Sequence, residues 1–528
     1  MKRWPIIVAA ALSILLIGGY FLVQTKVKNL IQEKASASGI LQYNKLELSL
    51  WKGDISLEDA RINYKLIAQD KYLEASSPKL SIEGISWWQL IKTKKLFIND
   101  LYLFSPIINI KNFAPKDDQP TIPDSTTSEA LTALELQHIH ISDGSFLFFK
   151  NKKDSIASIK LDTFNLEFAE IKVSKNTPAI KDAIGTFKGL SFRTEKNLQR
   201  ILIQQISFSK KDSLFEITGL KAVPQFDKTA FFQQIKYKKA RLDLDFPNVK
   251  MEGWDFEKML DKMLVARKME VSDMSLQIMV NQNMQPDPNG YKFLVQEALA
   301  KAPFPITVDS IMIEEGRLLL EIVGPGKTKS GSLRFDPVEG YVTNVTNDST
   351  RIAELKLMEL EAIGWIDGKH QVSNHFWFDL ASPSHVFTFT GNLSEMPFSG
   401  LNSFLRPCAN VRFDGGRINR LDFEVNADKY RAHGNLNIQY DNLDFAILDN
   451  DREEKKIFSK LVNLLFIKED SMEGSEDFRE SNIYVKRDTT RSFFNYWWEA
   501  IQSGIKASFL KNLPFQKKEN KKNRAVRQ

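Results

Sequence analysis

The sequence predicts a mainly β protein: an elongated, repeating antiparallel β-groove or sandwich with a few short helices, one N-terminal transmembrane helix and a C-terminal amphipathic helix. Three observations carry that prediction. Apolar and polar residues alternate in short runs from about Gln42 to Asp444; an uncharged apolar stretch opens the chain; and an aromatic stripe at helical spacing lies near its end. With 528 residues, 43% of them apolar and 26% charged, the chain is neither disordered nor a multi-span membrane protein.

Residues 4 to 25 are uncharged, and the apolar run from Ile6 through Leu15 and Tyr20 to Val23 would make a helix of about 27 Å, enough to cross a bilayer core. A cleaved signal peptide is the rival reading, since Lys2 and Arg3 precede the run and Ala9 to Ala11 are small. The run is long for that, however, and no small-x-small cleavage site follows it. Lysines flank the stretch on both sides, so charge counting leaves its orientation open.

The alternating runs include Leu46, Leu48 and Leu50; Phe164, Leu166 and Phe168; Leu242, Leu244 and Phe246; Leu318, Leu320 and Ile322; and Phe376, Phe378 and Leu380. Each gives a sheet with one dry and one wet face. Expected helices are few: 86–94, 128–134, 256–265, 291–301 and 452–466. They punctuate an internal repeat, with Gly84 matching Gly253, Asp100 matching Asp273 and Gly144 matching Gly316, at near-constant offsets. Each copy reads as strand, crossing helix, two strands, a second helix, and a hairpin turning on Asp143-Gly144 or Glu315-Gly316; a third hairpin signal is Asp414-Gly415-Gly416. The expected organisation is 1–34 anchor, 35–175 first repeat, 176–330 second repeat, 331–448 a third β-region, 449–482 a helix with an acidic linker, and 483–528 an amphipathic helix with a basic tail. An apolar face on so long a sheet is either covered by a second layer or lines a groove. Phe164, Phe168, Phe246, Leu320 and Phe378 are the candidate lining residues, phenylalanine suiting a lining with no hydroxyl to satisfy.

Near the end, Phe494, Trp497, Trp498, Ile501, Ile505 and Phe509 recur at helical spacing ahead of a basic tail. The pattern suits an interfacial membrane helix, and equally a helix packed on the protein body. The net charge of +6 divides into +4 over residues 1–34, −5 over 35–505 and +7 over 506–528. An acidic body disfavours a nucleic-acid-binding role, which needs basic residues along the contact surface.

No constellation for catalysis or cofactor binding stands out. His138 and His140 point to one face of a strand but lack a nearby third ligand in the sequence, and Cys408 has no partner motif. Gly324-Pro325-Gly326-Lys327 lacks phosphate-loop spacing. Exposed Trp87, Trp88 and Trp365 would suit a glycan-binding protein, although two of them fall on an expected helix.

Several stretches together resemble the AsmA family of Gram-negative envelope proteins, in the version found in Bacteroidetes. They are the N-terminal anchor followed by LELSLWKGDISLEDARI, the strand LYLFSPIINI, the region from Phe387 to Phe445 with its GNLNIQYDNL segment, and the C-terminal IYVKRDTTRSFFNYWWEAIQSGI. The resemblance implies an inner-membrane anchor with a cytoplasmic N-terminus and a periplasmic body. It also implies a β-groove that binds phospholipid acyl chains, a non-enzymatic role in phospholipid transport and outer-membrane biogenesis, and contact with the outer membrane or one of its proteins at the far end. An anchored scaffold assisting outer-membrane protein assembly is the alternative.

Overall fold

Runs of alternating, β-branched and aromatic residues pair into ladders, and the registers show how the repeat is built. The computed structural model describes residues 41–66, 71–112, 133–151, 156–174, 177–194, 197–448 and 480–509, with 25, 28 and 29. The expected anchor (Ile6, Leu15, Tyr20, Val23), the helix expected at 452–466 and the basic tail lie outside these residues, as does nearly all of the helix expected at 128–134. Among the described residues no helix is long and apolar enough to cross a membrane. The chain divides into two units, one of residues 1–195 and 200–219, the other of 196–199 and 220–528.

From residue 41 on, the described residues of the first unit are mostly sheet, with one short helix among them. Strands β1 (Leu41–Gln42) and β2 (Lys45–Ser49) pair with β3 (Asp54–Leu66), which pairs with β4 (Lys71–Glu83). Helix α1 (Trp87–Thr93) follows. Strands β5 (Lys95–Phe104) and β6 (Ile107–Lys111) then form one broken line, antiparallel to β4 on one side and parallel to β7 (Ala133–Phe149) on the other. Antiparallel ladders carry the sheet on through β8 (Ile159–Ser174), β9 (Thr177–Arg193) and β10 (Gln199–Ser209). Strand β11 (Leu214–Pro224) crosses the division between units.

The second unit repeats this plan. After α2 (Lys228–Gln233) come β12 (Arg241–Glu252), α3 (Phe256–Leu260), β13 (Leu264–Ser272) and β14 (Ser275–Asn281). Strands β13 and β14 lie antiparallel to β12 and parallel to β15 (Ile306–Val323), reached through α4 (Val295–Ala300). The ladder continues through β16 (Ser330–Thr346), α5 (Ser349–Glu354), β17 (Leu357–Ile366), β18 (His370–Asp379) and β19 (Phe387–Leu393). Strand β20 (Met396–Pro397), a 3-10 turn (Phe398–Leu401) and α6 (Asn402–Ala409) lead to the pair β21 (Val411–Ala427) and β22 (Arg431–Ile447), and β23 (Ser481–Lys486) joins β22 ahead of α7 (Phe493–Phe509).

Three expectations are corrected. The sheet is mixed rather than antiparallel, because each repeat sends its chain back across before β7 or β15, and strands joined by such a crossover run parallel. The acidic-glycine pairs are not hairpin turns. Asp143, at φ +53°, and Glu315, at φ +52°, sit inside unbroken strands with Gly144 and Gly316 at register shifts, and Gly415 and Gly416 lie at similar shifts in β21, so all three are β-bulges. Asp100 does not match Asp273. Ser105, at φ +44°, and Asp273, at φ +57°, are the equivalent residues, each breaking its strand pair and donating its N–H across to β7 or β15. Asp100 instead corresponds to Lys268. Ser174 pairs with Thr177 beside position 175, and the division between the two units comes near 195–220.

Candidate functional site

Register, more than any single residue, builds the most extensive surface of the first unit. Leu46, Leu57, Leu80, Leu103, Ile141, Leu166, Gly185 and Phe208 are successive cross-strand partners from β2 to β10. Two residues along, Leu48, Ile55, Ile82, Leu101, Ile139, Phe168 and Ala183 form a second such row. A third, beyond the bulges, is Leu73, Ile110, Phe148, Ile159, Phe192 and Ile201. Opposed partners share a face, so these rows make one apolar surface.

Much of that surface is only half-buried. Leu80, Leu103, Ile141, Leu166, Phe168, Phe187 and Phe208 all keep part of their area open, while Leu46 and Leu57 at the β2 end are buried. Phe164 is also buried, its ring over Gly144 and 6.3 Å from that of Phe187, which lies 6.3 Å from Phe208.

The second unit carries equivalent rows but finishes them differently. Met251, Met269, Ile311, Val342, Leu360, Phe376, Phe389, Val425, Gly434 and Ile483 are successive partners. At the β18–β23 end the face is sealed by α7: Phe493 lies 5.9 Å from Phe378 and 5.6 Å from Phe387, and Gly504 fits against Leu436 and Ile483. Phe378, a candidate groove residue, is thus fully buried in a packed core. Leu320 is half-buried in a row with Leu242, Ile278 and Leu333, and Phe246 is half-buried at the middle of β12.

Helix α7 divides the interfacial candidates. Ile501 is buried, and Trp497, Ile505 and Phe509 pack against the same core, whereas Phe494 and Trp498 face outward. Its buried line of Phe493, Tyr496, Ala500, Gly504 and Ser508 makes it chiefly a lid on the sheet. The periodicity could not show this, because a stripe has the same spacing over lipid as over protein.

An exposed aromatic cluster lies at the other end of the described chain. Trp51, 89% exposed, is in the β2–β3 turn, and Gly53 of that turn accepts a hydrogen bond from Ile85 just ahead of α1. Trp88, 72% exposed, and Ile91, 79%, are on α1, among exposed Lys52, Lys92, Lys94 and Lys95, with Lys92 over the Trp88 ring. Trp87, by contrast, packs inward.

Among ionisable groups, the structure supplies what His138 and His140 lacked in sequence. Asp100, on the parallel neighbour β5, brings Oδ1 to 3.0 Å from His138 Nδ1 and 4.0 Å from His140 Nε2. Cys408 is unsuited to nucleophilic chemistry: burial raises its pKa, and its Sγ donates to the Phe404 carbonyl. A polar hollow of about 770 Å³ on the wet face of β17–β22 is lined by Glu361, Ser373, Thr390, Asn392, Asp422 and Glu424, among others.

No family model matches the chain, and no curated protein matches it at a significant level.

Proposed function

We propose that this chain is a membrane-anchored, non-enzymatic lipid-handling protein of the AsmA type. Its body lies in the periplasm, and it accommodates phospholipid acyl chains on an apolar sheet face and so contributes to phospholipid movement toward the outer membrane. The observation that carries this reading is the half-buried apolar face of the first unit, where rows of Leu, Ile and Phe cross up to eight strands without a charged residue. Acyl chains need a continuous apolar surface and no directional partner, and burying a single methylene there gains about 0.8 kcal/mol. Phe168, Phe187 and Phe208 offer such a surface. Trp51, Trp88 and Ile91, with the exposed Lys52, Lys92, Lys94 and Lys95 beside them in the chain, add a patch suited to the headgroup region of an anionic bilayer, close in sequence to the apolar stretch 6–23.

A photocrosslinking residue in place of Phe168 or Phe187, in the full chain in cells, is expected to recover phospholipid, whereas the same residue in place of Tyr484, on an exposed strand face, is not. Absence of lipid at both Phe positions would sink the reading. The sealed β18–β23 core under α7 favours the alternative of an anchored scaffold for outer-membrane protein assembly. A scaffold would yield a stoichiometric protein adduct at Phe494 or Trp498 and no lipid at Phe168.

A further inference from the structure

The polar face of the first unit holds a side-chain cluster that the lipid reading does not use. We propose that Asp100, His138 and His140 form a binding site for a divalent cation of the zinc class. Two histidines and one carboxylate present three donor atoms, all within 4.8 Å of one another.

The spacing fits such an ion. Bonds of about 2.1 Å set donors about 3.4 Å apart at a tetrahedral centre and about 3.0 Å apart at cis octahedral positions. The Asp100 Oδ1 distances to His138 Nδ1 and His140 Nε2, 3.0 and 4.0 Å, bracket those values. The backbone supplies the arrangement: His138 and His140 are two apart on β7 and share a face, while parallel pairing sets Asp100 opposite His138 and Tyr102 opposite His140. The Tyr102 ring stacks on His140 at 4.9 Å and 11°, which restrains the imidazole. Partial exposure, 27% for Asp100, 51% for His138 and 36% for His140, leaves room for water or an outside group to complete the coordination. Imidazole with carboxylate selects zinc, cobalt, nickel or copper over calcium and magnesium, which need more oxygen donors.

The repeat provides an internal comparison. At the same registers the second copy has Lys268, Ser310 and Met312, and Lys268 forms an ion pair with Glu270 on its own strand. The fold therefore does not require Asp and two His at these positions, since the same ladder forms without them. The cluster is particular to the first copy, and it cross-links β5 to β7, strands brought together by a crossover rather than a hairpin.

The test uses the tag-free full chain in detergent, stripped with a chelator and titrated with Co²⁺ and Zn²⁺. Expected are one saturable site, visible Co²⁺ absorption bands that Zn²⁺ displaces, and at least tenfold weaker binding in His138→Ala, His140→Ala and Asp100→Asn. The control His375→Ala, in the second unit, should bind as the parent does. The circular dichroism spectrum of each variant checks that its sheet is intact, and His140→Gln replaces any variant whose spectrum changes. Absence of saturable binding, or binding that survives both histidine substitutions in folded protein, overturns the proposal.

Discussion

Gly144 shows how much a single position decides. A Cβ there would lie 2.3 Å from the Phe164 ring, itself held against Phe187, so Gly144→Ala must displace a buried aromatic at the bulge. Overpacking of this kind costs about 1–3 kcal/mol, and Gly144→Ala is expected to lower the denaturation midpoint accordingly, with an unchanged denaturant dependence. The sequence marked this glycine and its counterpart Gly316 but not their purpose. An acidic residue before glycine at positive φ is as much the signature of a bulge as of a hairpin, and only the partner strand tells them apart. The Asp100 cluster was hidden for a related reason. His138 and His140 are legible as a pair, but their third partner is 38 residues away, and parallel pairing, which alternation does not reveal, brings it near.

Length alone did not decide which elements were legible. The long alternating strands stood out, as did α1 and the striped α7. Helices α2, α5 and α6 were missed, although Asp227 and Asp348 cap the first two by accepting two backbone N–H groups each; a cap before so few residues reads as a turn. For α7 the element was correct and its surroundings open. Its close seat depends on Gly504, where an added Cβ would lie 2.7 Å from Leu436 Cβ and 2.9 Å from Ile483 Cγ1. Gly504→Leu should loosen the helix from β22 and β23, and tryptic cleavage at the exposed Lys506 should accelerate at least tenfold, which corresponds to about 1.4 kcal/mol of lost docking energy. Cleavage at the parental rate would show that the sheet yields instead.

At the scale of the whole molecule, the chain divides into two units, and the buried clusters fall separately within them. The repeat was visible from its glycines, but its limits were not, because strands continue pairing across positions where composition suggests a boundary. Distinct cores predict distinct responses. Phe378→Ala removes a fully buried ring beneath Phe493, at a cost of about 3–5 kcal/mol. Amide exchange should then quicken in β17–β23 and α7 while β7–β10 keep their parental rates. Equal acceleration in β7–β10 would mean that the two units open as one.

Parallel pairing also bears on how this chain comes to be folded. Most of its ladders join sequence neighbours and can close like a zip from a turn outward. Leu264, however, must wait for Ile306, and Lys95 for Ala133, before β13 and β5 gain their second neighbours. Each copy therefore contains one long loop closure that no local turn can nucleate, and such non-local steps slow folding. During that delay β5 and β13 have partners on one side only, and the incomplete sheet offers open edges to other chains, so the crossover strands set the interval in which a newly made molecule is most in need of protection from aggregation.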